Sequence, residues 1–238
     1  PTTLLGMTDS CVGGKTGLNY LNKKNILALF SAPREVIIDI SFLETLSHRD
    51  FLSGLGEALR LHITGGKKYV QSFEKNIELA VKKNKQAIKN IILNSLSIKK
   101  AVVEEDEFEK NLRKSMNYGH SLGHALETLS DFAFPHGMAV SLGICIENLL
   151  ASEYYNLDEK VCFRLQSLAE KLIDKKAKST LKKIKSCNFS DILKADKKTI
   201  GTTLKLAIPD DYGKIDFKNF NLNSKCNDKI TKAINKML

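Results

Sequence analysis

No stretch of this sequence approaches the roughly 20 consecutive apolar residues that a membrane-spanning helix needs. Its first residues also lack the basic-then-apolar pattern of a secretory leader. Both absences point to a cytoplasmic protein with no membrane partner. Cysteine is sparse: Cys11, Cys145, Cys162, Cys187 and Cys226 form no CxxC pair, and five is an odd count. That argues against a disulfide framework and for reduced thiols acting as small hydrophobes. Acidic residues are outnumbered, 27 against 37 basic ones, for a net charge of +10. The excess is lysine spaced along helical segments such as 67–100 and 171–185, which reads as solvated helix faces and not as a nucleic-acid surface. The same field would attract an anionic, phosphorylated small molecule. There is no internal repeat and no low-complexity linker. An initiator methionine is missing too, and Pro1-Thr2-Thr3-Leu4-Leu5 reads as the inside of a domain already under way.

What is present is a globular sequence of 238 residues, 42% of them hydrophobic, enough for one large domain or one domain and part of another. The first part holds a glycine-rich turn, Val12-Gly13-Gly14-Lys15-Thr16-Gly17, and a β-branched run, Val36-Ile37-Ile38-Asp39-Ile40, that suits a buried strand. From Phe42 the periodicity becomes helical and proline is all but missing until Pro135. A boundary near Ser47 and His48 follows, dividing the chain into residues 1–47 and a mainly α part, 48–238. Ser47 is the expected N-cap of a helix to Leu61. Apolar residues three and four apart predict a two-helix hairpin over Val70 to Lys85 and Lys85 to Glu105. Asn111 to Phe132 reads as one further helix, Gly137 to Tyr155 as a buried central one, and Thr203 to Ile208 as a short strand.

The chemistry gathers between Arg113 and Gly137. His120 and His124 are four apart, so a helix through them puts both imidazoles on one face, with Asn117 and Arg113 on the same stripe. His136 follows shortly. Alone, the pair is compatible with two histidines on a polar helix face. With His136 and the carboxylate of Glu57 added, the set matches a catalytic zinc site, which uses imidazoles and a carboxylate and keeps a position open. The turn at Gly13, Glu57 and the run Asp196-Lys197-Lys198 would each be unremarkable alone.

Their order and spacing carry a resemblance. Pro1-Thr2-Thr3-Leu4-Leu5, Asp9 through Gly17, Lys24-Asn25, Gly54-Leu55-Gly56-Glu57, Asp106-Glu107, Leu112-Arg113, Asn117 through Glu127, His136-Gly137 and Asp196-Lys197-Lys198 occur as in 3-dehydroquinate synthases, from Pro1 to about Gly201. The resemblance implies the helical metal- and substrate-binding domain of that fold, preceded by the tail end of an α/β NAD-binding domain. It implies NAD and zinc or cobalt as cofactors, and cyclisation of a phosphorylated keto-sugar acid with elimination of phosphate. Glu57, His120 and His136 would be the metal ligands, with His124 off the metal as a support for substrate or proton transfer. Lys15, Arg113, Asn117 and Lys197, together with Asp9, Asn25 and Lys198, would surround the substrate, while Thr2, Thr3 and Lys24 match positions that touch NAD. Relatives are usually homodimers.

Three positions depart from the pattern. Arg60 stands where the family usually has lysine, three residues after the glutamate ligand; it should line the substrate pocket, and it cannot shuttle a proton. Met138 replaces a glutamate after His136-Gly137, removing a possible partner of the metal histidines. Asn111 replaces a glycine. These departures keep open a related sugar-phosphate cyclase with another substrate. A metal-dependent polyol dehydrogenase and a non-catalytic basic binding protein are the readings from other classes. The chain by itself is expected to fold around the metal site without turning over, with residues 1–47 packing loosely or leaning on a neighbouring chain, because it holds no strand, glycine-rich turn and helix for the dinucleotide before its first strand candidate.

Overall fold

The computed structural model describes residues 1–20, 23–110, 112–196 and 198–238, with the side chains of residues 19, 23–26 and 210 left aside. Helices dominate. A short helical turn (Gly6–Ser10) leads into a hairpin of β1 (Lys15–Tyr20) and β2 (Lys23–Phe30). Then come α1 (His48–Gly65), α2 (Lys67–Val81) and α3 (Lys85–Glu105), a 3-10 turn at Leu112–Asn117, α4 (His120–Leu129) and α5 (His136–Tyr154). Three shorter helices follow, α6 (Glu159–Glu170), α7 (Lys175–Ile184) and α8 (Phe189–Lys194). A small antiparallel sheet in the order β3 (Thr199–Ile200), β4 (Thr203–Asp211), β5 (Lys214–Asn221) precedes the last helix, α9 (Ser224–Met237). No helix among the described residues is long and apolar enough to cross a membrane.

Local chemistry sets the helix ends. Ser47 caps α1 by accepting from the Asp50 N–H at 3.1 Å, and Asn84 caps α3 by accepting from Ala87 N–H at 3.0 Å. The hairpin of α2 and α3 forms as its periodicity predicts, burying Val70, Phe73, Ile77 and Ala80 against Ile88, Ile91 and Ile92. The predicted strand at Thr203 to Ile208 is the first part of β4.

α5 is buried from Gly137 through Asn148, as an all-round apolar sequence requires. It packs on α1, α4, α6 and α9. Each fully buried Leu or Ile there, Leu142, Ile144 and Ile146 among them, contributes roughly 1.5–3 kcal/mol. The contacts with α1 and α4 are backbone to backbone. A Cβ on Gly56 would lie 2.1 Å from the Gly137 carbonyl oxygen, one on Gly137 would lie 1.9 Å from that of Ser53, and one on Gly143 would lie 2.0 Å from that of Gly119. Glycine is therefore what lets three helix axes approach closely enough for side chains at their ends to meet.

Three expectations fail. The run Val36 to Ile40 is not a strand: Ile37 is 74% exposed, and only Ile38 and Ile40 lean on the core. A β-branched run becomes a strand only by pairing with another, and among the described residues no strand pairs with it. Instead a hairpin unforeseen in the sequence follows Gly13 and Gly14, whose φ values of +107° and +64° make the turn. Second, the predicted single helix up to Phe132 is broken. Gly119 at φ +77° stops the 3-10 turn and lets α4 start at His120, so Arg113 and Asn117 do not share a helical stripe with His120; Asn111 lies outside the described residues. Third, the segment before His48 is not uniformly loose, because Leu4, Met7 and Leu43 are buried in the same core as the helices.

Gly137→Ala is expected to lower stability by roughly 3 kcal/mol, at the upper end for overpacking, because its methyl would meet rigid backbone. A denaturation midpoint matching the wild type would contradict the close contact of α1 and α5.

Candidate functional site

Three helices deliver the central side chains. Glu57 lies midway along α1, His120 is the first residue of α4 with His124 one turn on, and His136 is the first residue of α5. Glu57 is almost completely buried, and its Oε1 makes no hydrogen bond. That oxygen lies 3.6 Å from Nε2 of His120 and 3.6 Å from Nε2 of His136. The other ring nitrogens are engaged. His120 Nδ1 is 3.1 Å from the Tyr118 carbonyl oxygen and His136 Nδ1 is 3.0 Å from Glu127 Oε1. A carbonyl and a carboxylate both accept, so Nδ1 carries a proton in each ring and Nε2 is the nitrogen that faces Glu57.

This is an arrangement that a cation would complete. A buried carboxylate oxygen without a donor is costly unless something positive reaches it. Two ligand atoms each about 2.1 Å from one tetrahedral ion are about 3.4 Å apart, close to the spacing seen. Burial, followed by Arg60, His136 and His124, holds the His120 pKa well below the ordinary histidine value, which keeps the ring in its neutral, ligating form. His124 joins His120 and His136 in a second possible set, with ring nitrogens within 4.8 Å of one another, and its ring stacks on His136 with centroids 5.6 Å apart. The unpartnered oxygen makes Glu57 a candidate third donor alongside His124.

Oε2 of Glu57 is held by Arg60, whose Nε and Nη2 donate to it at 3.0 and 2.9 Å. The same Nη2 reaches Asp9 Oδ1 at 3.0 Å, and Lys99 Nζ reaches that oxygen at 3.0 Å. Removal from water would raise the Asp9 pKa, but Arg60 and Lys99 outweigh it and hold the carboxyl below its usual value. Around the turn at Gly13, Arg113 donates through Nη2 to the Gly13 carbonyl at 3.0 Å and through Nη1 to that of Glu107. Glu109 pairs with Lys15 and accepts from Asn117 Nδ2 at 3.2 Å. Asp9 and Arg60 thus adjoin Glu57, while Lys15, Arg113 and Asn117 gather around the glycine turn, Glu107 and Glu109. Lys198 is paired with Asp196 at 3.3 Å, and no described contact joins it to the histidines. Thr2 and Thr3 are exposed, with Thr3 Oγ1 accepting from Gly6 N–H at 3.1 Å. Lys197 and the side chains of Lys24 and Asn25 lie outside the described residues.

The chain is a mainly helical domain in which a buried carboxylate and two oriented imidazoles meet beside cationic side chains. Among solved structures, 2-deoxy-scyllo-inosose synthase complexed with carbaglucose-6-phosphate, NAD+ and Co2+ matches with a TM-score of 0.77 at 21% identity, over 99% of this chain and 65% of that one. ValA, the 2-epi-5-epi-valiolone synthase from Streptomyces hygroscopicus subsp. jinggangensis 5008 with NAD+ and Zn2+ bound, matches with a TM-score of 0.74 at 21% identity, over 100% of this chain and 64% of that one. At such identities the likeness is one of fold. Residues 54–199 match the family 3-dehydroquinate synthase C-terminal, and residues 1–53 match 3-dehydroquinate synthase N-terminal. The chain belongs to the 3-dehydroquinate synthase family. It is 37% identical over 216 residues to the 3-dehydroquinate synthase of Helicobacter pylori (strain G27), covering 90% of this chain and 60% of that protein. It is 43% identical over 155 residues to that of Citrifermentans bemidjiense, covering 65% of this chain and 43% of that protein. The chain therefore spans about 60% of the length of the curated relatives matched over most of its own length.

Three residues of this region received no role from the sequence. Lys99 reads as one more lysine of a solvated helix, yet it is 6% exposed. The signal was its place on the apolar stripe of Ile91, Ile92, Ser95 and Ile98 in α3. Glu127 supplies the carboxylate partner to His136 that the loss of a glutamate at position 138 seemed to remove, while Met138 is simply core. Glu147, buried in α5, accepts from the Gly119 N–H at 2.6 Å and so anchors the start of α4. Burial pushes its pKa up to about 8 from 4.5, against the opposing pull of the Gly119 N–H and Lys198. A carboxyl whose pKa is raised on folding stabilises the native state least where it must ionise, so stability falls from about pH 4.5 to about pH 8 and then levels. Glu147→Gln, whose amide oxygen still accepts from Gly119, is expected to lack that decline. Its stability relative to wild type should rise between pH 5 and 8 in parallel denaturant titrations, and a constant difference would show that Glu147 is ionised at neutral pH.

Proposed function

We propose that the protein carrying this chain is an NAD- and metal-dependent lyase that cyclises a phosphorylated keto-sugar acid and releases phosphate, the 3-dehydroquinate synthase reaction. The observation that carries this reading is Glu57 Oε1, buried without a hydrogen-bond donor and 3.6 Å from the Nε2 atoms of His120 and His136. Relatives named 3-dehydroquinate synthase at 36 to 43% identity support it.

In this reading Glu57, His120 and His136 hold zinc or cobalt. Bound there, the metal would supply Lewis acidity at adjacent hydroxyl oxygens, and NAD would supply a reversible hydride acceptor. The chain's own residues do the rest. The Tyr118 carbonyl and the Glu127 carboxylate fix which nitrogen of each imidazole faces the ion. Lys15, Arg113 and Asn117 sit where an anionic substrate would exchange their present contacts with Glu109, Gly13 and Glu107 for phosphate and carboxylate oxygens, the planar fork of Arg113 suiting either group. Asp9 accepts from hydroxyls, and Lys99 beside it balances its charge; burial lowers the Lys99 pKa while Asp9 pulls it back up. His124, stacked on His136 and outside the ligand set, is placed to support substrate or pass a proton. Arg60 Nη1 is buried and has no hydrogen-bond partner among the described residues, which leaves a donor for substrate. By the resemblance, Lys197, with Lys198 as its substitute, and Asn25 join the groups that would bind the substrate.

Thr2, Thr3 and Lys24 form at most an edge of the NAD site, so residues 1–47 are read as the tail end of the NAD-binding domain and 48–238 as the metal- and substrate-binding domain. Cytoplasmic location and a homodimer complete the reading. Arg60, standing where the resemblance implies lysine, favours a second version in which a related cyclase takes another sugar phosphate.

Given NAD, zinc or cobalt and a panel of seven-carbon phosphorylated keto-sugar acids, the protein at its natural length should release inorganic phosphate from one of them. Chelation should abolish the release and added metal restore it. NAD reduction with no phosphate release would assign a polyol dehydrogenase instead. The 238 residues alone should bind metal yet neither retain NAD tightly nor turn over, and full turnover by them would refute the two-part division.

A further inference from the structure

Arg60 is one turn beyond Glu57 on α1 and only 2% exposed. Two of its nitrogens converge on a single oxygen, Nε at 3.0 Å and Nη2 at 2.9 Å from Glu57 Oε2, while Oε1 of the same carboxylate is left without a donor. Nη2 is shared with Asp9 Oδ1 at 3.0 Å, and that oxygen is shared in turn with Lys99 at 3.0 Å. The guanidinium is planar and permanently charged, so its fork fixes the plane of the carboxylate it grips as well as the position. For Glu57, 1% exposed, to offer both oxygens to an ion, its terminal torsion would have to turn and strip both bonds from Oε2.

We propose that Arg60 is a positioning residue for the metal carboxylate: by saturating Oε2 it makes Glu57 a one-oxygen ligand through Oε1, and by gripping Asp9 it ties that geometry to the substrate side of the site. The inference rests on the metal reading above. It concerns coordination and not substrate choice, so it is separable from which sugar phosphate is turned over. A single ammonium in place of the fork can hold Oε2 or Asp9 but cannot fix the carboxylate plane. An uncharged amide can do neither well.

Cobalt(II) is the probe, because its visible absorption weakens as coordination number rises and its affinity can be measured by competition with a chelator. The experiment uses the protein at its natural length, with circular dichroism melts as the folding control. Wild type should bind one cobalt ion with the intense absorption of a low-coordinate site, and His136→Ala should lose it. Arg60→Gln should bind cobalt roughly 10- to 100-fold more weakly, with weaker absorption as Glu57 swings to present both oxygens. Arg60→Lys should fall between the two in both readouts. If Arg60→Gln does not fold, Arg60→Lys decides the matter alone, and in either case a lysine variant matching wild type in spectrum and affinity overturns the role of the fork. An Arg60→Gln protein that is folded and binds cobalt as tightly as wild type, or more tightly, overturns the assignment altogether. Wild type that binds no cobalt, or His136→Ala that still does, brings down the metal reading and this inference with it.

Discussion

The contact on which the rest depends is backbone against backbone. α5 lies so close to α1 and α4 that a methyl group at Gly56, Gly137 or Gly143 would stand about 2 Å from a carbonyl oxygen of a neighbouring helix. That proximity sets the positions of Glu57, His120 and His136, which come from three separate helices and could not otherwise bring three donor atoms within reach of one point. Two of the donors occupy the first residue of a helix, where the chain has just turned and the side chain faces the junction. The apolar packing of α5 supplies the stability that holds the helices together, and the glycines decide how near they come.

Inside this frame charge is arranged as an alternating series. Glu57, Arg60, Asp9 and Lys99 follow one another with each contact near 3 Å, and Arg113 continues the positive side at Gly13. Breaking a buried pair of this kind typically costs about 3–5 kcal/mol because the survivor is left uncompensated. The series is therefore a reason for Asp9, in the first turn of the chain, to stay docked on α1 and α3, and it explains why Leu4 and Met7 belong to the helical core although they precede the main helices by some distance in sequence. Among the described residues of this series, Glu57 Oε1 is left without a donor and Arg60 Nη1 without an acceptor, and the bare oxygen is what the proposed metal reading rests on.

The hairpin of β1 and β2 obeys a different rule. Leu18 and Leu27 pair across it, and with Tyr20 and Leu29 they form an exposed apolar face, each more than 60% accessible. The two strands pair with each other in antiparallel register, but they bury little. This is the part of the chain matched to the N-terminal family region, and the chain spans only about 60% of its relatives' length.

Much was legible in the sequence because it depends on local pattern. The all-round apolar character of α5, the stripes of α2 and α3, the cap at Ser47 and the spacing of His120 and His124 are read over a few residues, and local pattern reports them directly. The candidate site was legible by another route, the order of motifs, which put Glu57 and the histidines in one set without any geometry. Only the tertiary structure decided which surfaces those patterns meet. Val36 to Ile40 has strand chemistry but pairs with no described strand, and it ends in a 3-10 turn that starts at Ile40. Gly119 broke a helix that composition would continue, since whether a glycine takes positive φ depends on what packs beside it, here Val140 and Ile144. Lys99 and Glu147 look like surface charges until the folded chain brings Asp9 to one and the Gly119 N–H to the other. The same holds at Arg60: its identity is written in the chain, but that it grips one oxygen of Glu57 and leaves the other bare follows from burial and helix geometry, which no spacing of residues encodes.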